Sequence, residues 1–121
     1  MLSYDESFLV LDTFALSLPK EIFNNLNGGI LLLNETITDE KDNLLILGQY
    51  HIDPNGLGRY ITIHYGSILE CFGHLPPDKF KKELENVLCH ELIHHLENLA
   101  GDRSLEIQDA LDILNYKRTN L

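Results

Sequence analysis

Residues 76–102 read PPDKFKKELENVLCHELIHHLENLAGD, and how this stretch folds settles both the architecture and the chemistry. Pro76-Pro77-Asp78 opens a long helical pattern, because proline is tolerated in a first helical turn and an aspartate complements the positive end of the helix dipole. The pattern predicts a helix to about Ala100, with Gly101 breaking it. At roughly 100° per residue, with Phe80 as zero, Leu84, Leu88, Leu92, Leu96 and Leu99 fall between roughly 40° and 160°, so this stripe faces the core. His90, His94 and Glu97 fall near −80°, −40° and −100°, roughly, and form a second stripe bordering the apolar one.

His90 and His94 are one turn apart, with Cβ atoms roughly 5–6 Å from each other, a separation at which both imidazoles reach one ion. Glu91 lies about 100° from His90, outside the ligand stripe but near enough to act on water at the metal. These are the parts of HExxH chemistry: zinc acidifies a water, and the adjacent carboxylate takes its proton as the water attacks a peptide carbonyl. Zn2+ suits two neutral imidazoles and a carboxylate, with one position open. By chance the pattern arises in about two of every hundred chains with this content of histidine and glutamate, so its weight comes from its place in an amphipathic helix. The competing reading is a solvated polar helix face.

The third protein ligand is open. Asp102 is preferred, since Gly101 lets the chain end its helix and turn back toward the metal. Glu97 is the alternative; it lies on the right stripe but about 10.5 Å from His90 along the axis, so its side chain must bend back. Glu106 is a third candidate, more simply read as a solvent-facing acid. His95 falls near 60°, roughly, on the core side, and is expected to pack or to support the ligands. Cys89, near 180°, is expected to be buried filler. His64 is expected to be an exposed strand residue, with a place in the cleft as the lesser alternative. Tyr60 and Tyr65 are expected to pack rather than to stabilise an oxyanion, while His51, His74 and Cys71 carry no readable chemistry.

Outward from the long helix, Phe8, Leu11, Ala15 and Leu16 predict a helix over residues 4–16, and PKEIFNNLN predicts a second, stopping at Gly28-Gly29. Three strand candidates follow, GGILLLNETI, NLLILGQYHI and GRYITIHYG, the last two joined through the turn signal DPNGLG. GSILECFGHL predicts a short helix, and LEIQDALDILNYK a last amphipathic one. The order predicts an α+β fold in which a small mixed or antiparallel sheet packs with the N-terminal helices and the long HExxH helix.

The bulk numbers fit one domain over residues 1–121, with 44% apolar and 23% charged residues. Nine basic residues against nineteen acidic ones give a net charge of −10, which disfavours nucleic acids and anionic membranes as partners. No run approaches the ~20 apolar residues that span a bilayer. The N-terminus lacks a basic leader, and two sparse cysteines read as reduced thiols, so the expected location is the cytoplasm.

HELIHH followed by a glycine and an aspartate resembles the small bacterial zincin-like metallopeptidases, whose pattern is HExxHxxGxxD. GRYITIHYGSILECFG and PPDKFKKELENVLCHELIHH extend the resemblance over most of the chain, the first helices least. It implies a minimal zincin fold with His90 and His94 as zinc ligands, Glu91 as general base and Asp102 as third ligand. Glu97 stands at the pattern's glycine, and the aspartate comes two residues late. The expected function is a zinc-dependent hydrolase, a peptidase acting on peptides or proteins. The alternative is a metal-binding or interaction domain that keeps the histidine pair without turnover.

Overall fold

The computed structural model of the chain describes residues 1–100 and 105–119. Helix α1 (Tyr4–Leu16) starts at a capping box: Ser3 Oγ accepts from the Glu6 amide at 3.1 Å, and the Glu6 carboxylate accepts from the Ser3 amide at 2.9 Å. The helix has the expected bounds but a different inner face. Ser7, Leu11 and Phe14 are buried, whereas Phe8 and Leu16 are exposed. Spacing of four and three residues puts Ser7, Leu11 and Phe14 on one stripe, while Leu16 lies roughly 140° around from Leu11.

The second helix expected over PKEIFNNLN is only a 3-10 turn, Lys20–Phe23, anchored by the fully buried Ile22. Asn25 follows with φ 64°, a left-handed conformation that no α-helix continues through and that asparagine tolerates better than most residues.

Three strands form a mixed sheet in the order β1-β3-β2, from β1 (Gly29–Leu33), β2 (Gly48–Asp53) and β3 (Gly58–His64). β1 runs parallel to β3, and β2 runs antiparallel to it. The first two strands are shorter than the apolar runs suggest, because the chain between them pairs with itself. Ile46 donates to the Ile37 carbonyl at 2.8 Å, and Thr38 bridges to Leu45. The β2–β3 hairpin closes at Asp53 opposite Gly58, whose φ of 72° favours glycine. β2 is thus an edge strand, with one row of backbone groups free of sheet pairing among the described residues.

Helix α2 (Tyr65–Phe72) follows β3 directly, and α3 (Pro77–Leu99) then crosses the molecule. α3 buries Phe80, Leu84, Leu88, Leu92 and Leu96 as the helical wheel requires, though Leu99 is only half-buried. They meet Ile61 and Ile63 of β3, Ile22, and Leu114 of α4 (Leu105–Thr119) in one core. α4 returns antiparallel to α3, bringing Ile107 toward Ala100 and Arg118 toward His90. No described helix is long and apolar enough to cross a membrane.

Candidate metal centre

The leucine stripe fixes the rotation of α3, and that rotation alone places His90 and His94 outside while Glu91 turns inward. Both histidines are exposed and Glu91 is only 6% exposed. The Nε2 atoms of His90 and His94 lie 3.0 Å apart, with the rings edge to face at 86°. Two imidazole nitrogens on a tetrahedral zinc, each at ~2.0–2.1 Å, stand roughly 3.3–3.4 Å from one another. The pair therefore fits two positions of one ion with small adjustment of the rings.

Glu97 does not join them from the same side. Its Oε1 stands 3.9 Å from His94 Nδ1, the ring nitrogen turned away from His90 Nε2. A carboxylate there orients an imidazole instead of sharing its metal. Asp102 lies outside the described residues, as does the side chain of Glu106. Among the described residues no three His, Cys, Asp or Glu side chains gather as a metal-holding group.

Burial pushes the Glu91 carboxyl above its ordinary range, an effect the neighbouring His94 partly opposes. A carboxyl with a raised pKa is better matched to taking and returning a proton near neutrality than an exposed one. Gly48, the first residue of β2, sets how closely the sheet edge approaches it. A Cβ at Gly48 would stand 3.1 Å from both Glu91 Cγ and Val87 Cγ1, so only a bare backbone fits without displacing them. The apolar NLLILGQYHI run conceals this role, which depends on a contact between the strand and α3.

Three concavities meet at this point. A cavity of about 630 Å³ lies between α3 and α4, lined by His90, His94 and Arg118 among others. A second, of about 610 Å³, lies between α3 and the segment Leu45–Gly48 and reaches His90, Glu91 and again Arg118. The third is an open groove running from the histidine pair and Glu91 along the edge of β2, past Gly48, Gln49, Tyr50 and His51.

His51, which the sequence leaves without a role, thus stands in the groove wall, and His64 does not. His64 is buried, neither exposed nor in the cleft. A carbonyl can only accept, so His64 Nδ1 donates to the Ile46 carbonyl at 2.8 Å, while its Nε2 is hydrogen-bonded with the Thr62 hydroxyl at 3.0 Å. The same Thr62 hydroxyl is hydrogen-bonded with His51 Nε2 at 2.8 Å, so it links the two rings. His51 also stacks on Tyr60, with centroids 4.4 Å apart.

His95 packs as expected. It is fully buried, its Nε2 donates to the Asn24 carbonyl, and its Nδ1 accepts from the Tyr50 hydroxyl, each at 2.8 Å. It thereby ties the α3 segment that carries His94 to β2 and to the 3-10 turn. Tyr65 is a packing residue, its hydroxyl donating to the Leu2 carbonyl. Cys89 is buried, with its thiol pushed up to about 11 by burial, and both cysteines are free.

No family model matches this chain, and no curated protein does. Among solved structures it is similar to a conserved hypothetical protein from Thermus thermophilus, at 28% identity and a TM-score of 0.70 over 82% of this chain and 98% of the other. That designation names no activity. The resemblance to the zincin-like metallopeptidases is therefore corrected: no family match carries it, the similar structure does not bear that name, and no three-residue metal group forms among the described residues. The physical reason lies after His94, where Glu97 replaces the pattern's glycine and approaches the far side of the His94 ring, so the pattern's third-ligand geometry is not reproduced by the described residues.

Proposed function

We propose that the chain is a zinc-dependent hydrolase that cleaves peptide bonds. The observation that carries the reading is the convergence of His90 and His94 Nε2 at 3.0 Å directly beside a buried Glu91, where three concavities meet. His90 and His94 would hold the ion, with Asp102 the preferred third donor, while Glu97 stands on the far side of the His94 ring. When bound, zinc supplies Lewis acidity, polarising a carbonyl and acidifying water at neutral pH.

The chain's own residues do the rest. Glu91 Oε accepts the proton of the attacking water and returns it to the leaving nitrogen, a shuttle that its raised pKa favours. The unpaired edge of β2 offers N–H and C=O groups to an extended peptide lying in the groove, so backbone hydrogen bonds would align the bond to be cut. The net charge of −10 gives no electrostatic reason for nucleic acid to bind, and the two free thiols suit the cytoplasm.

Glu91→Gln should lower peptide hydrolysis by about 10²–10⁴-fold while elemental analysis finds the zinc content unchanged. Hydrolysis at the native rate in that variant sinks the proposal. A second reading, metal binding without turnover, is favoured by the two-residue donor set found among the described residues. Stoichiometric zinc in native protein that cleaves no peptide in a diverse mixture would select it.

A further inference from the structure

Arg118 lines two of the cavities beside the histidine pair, the one toward α4 and the one toward Leu45–Gly48. One Nη donates to Asn115 Oδ1 at 3.1 Å, and among the described residues no carboxylate pairs with the guanidinium. An arginine has five N–H donors in a rigid fork, so most of its capacity is available to a ligand. The acids nearest these cavities are Glu83, Glu91 and Glu97, and the chain as a whole is strongly negative. A negatively charged peptide would be repelled over most of the surface. Arg118 is a planar two-point donor to a carboxylate, and among the described residues that line these two cavities it is the one with a permanent positive charge.

We propose that Arg118 binds a carboxylate of the substrate, so that the substrate class is peptides carrying a negative charge within one or two residues of the bond that is cut. The cavity it shares with Glu91 has apolar walls from Leu45, Leu47, Phe72 and Val87, which suit the side chain next to that carboxylate. Two sources supply this chemistry, the C-terminal carboxylate of a short peptide and an Asp or Glu side chain in a longer one. The assignment of the bond rests on the hydrolase reading; the carboxylate contact itself does not. Arg118 also stands in the last turn of α4, where any cation complements the helix dipole. Arg118→Lys keeps that charge and loses the fork, which separates the two roles.

The test is calorimetric titration of the metal-free chain, so that no carboxylate binds through an ion. Three probes are used: N-acetyl-tetraalanine as the free acid, its C-terminal amide, and that amide with aspartate as the third residue. At low salt at least one charged probe should bind about tenfold or more tighter than the neutral amide, the size of a charge-assisted hydrogen bond. That preference should vanish in Arg118→Ala and shrink in Arg118→Lys, with the thermal unfolding of Arg118→Lys unchanged.

A preference for the free acid alone identifies the terminal carboxylate, and one for the aspartyl amide alone identifies a side chain. Equal binding of all three, no binding of the charged probes at millimolar concentration, or a preference that survives Arg118→Ala overturns the proposal. A chain that discriminates the probes through Arg118 but hydrolyses no peptide when zinc-loaded sinks the hydrolase reading and keeps the carboxylate site. One that hydrolyses without discriminating does the reverse.

Discussion

His51 of β2 and His64 of β3 are joined through the Thr62 hydroxyl, yet one stands in the groove wall and the other is buried. The alternation of GRYITIHYG puts Thr62 and His64 on one face of β3, but not what covers that face. The loop carrying Ile46 does so, and it makes His64 a buried residue with both ring nitrogens engaged. His90, Glu91 and His94 were legible because their roles depend on spacing within one helix. Gly48 was not, since its role is an approach between elements. Burial and the neighbouring His64 lower the pKa of His51. The unfolded chain then takes up a proton on acidification before the folded one does, so His51 contributes stability above its unfolded pKa of 6.5 that is lost as pH falls through the window below it. Gln at this position can still donate to Thr62 and does not titrate. Urea midpoints at pH 7.5 and 5.5 should therefore differ less for His51→Gln than for the native chain; an equal or larger difference would be evidence against this account of His51.

Among the elements, α3 is the most legible, because 23 residues of sustained four-residue apolar spacing leave little freedom in which face turns inward. Shorter elements are decided by their partners. α1 has apolar residues around most of its circumference, and the stripe that packs is Leu11 and Phe14, not the one containing Phe8 and Leu16. PKEIFNNLN ends early because Asn25 adopts a left-handed conformation. The two early strands lose residues to the loop pairing between Ile37 and Ile46. The consequence is measurable in α1 and α3. Leu88→Ala should cost about 2–5 kcal/mol of unfolding free energy, whereas Phe8→Ala should stay within about 0.5 kcal/mol of native. Comparable losses for the two in urea denaturation would contradict the assigned faces.

At the scale of the whole molecule, a leucine-lined face of α3 packs on a three-stranded sheet and leaves the opposite stripe at the meeting point of α4, the edge of β2 and the Leu45–Gly48 segment. Fold and site share one determinant, the rotation of α3 about its axis. We propose that this rotation presents His90 and His94 as a metal-holding pair. Zinc bound to the folded state alone stabilises it, by about 2.7 kcal/mol when free metal is a hundredfold above Kd. The most direct measurement is elemental analysis after zinc loading and gel filtration, for the native chain and for His90→Ala combined with His94→Ala. The predicted result is one zinc per native chain and none in the double variant, with zinc raising Tm only in the native protein. A native chain that retains no zinc, or a double variant that retains as much, would contradict it.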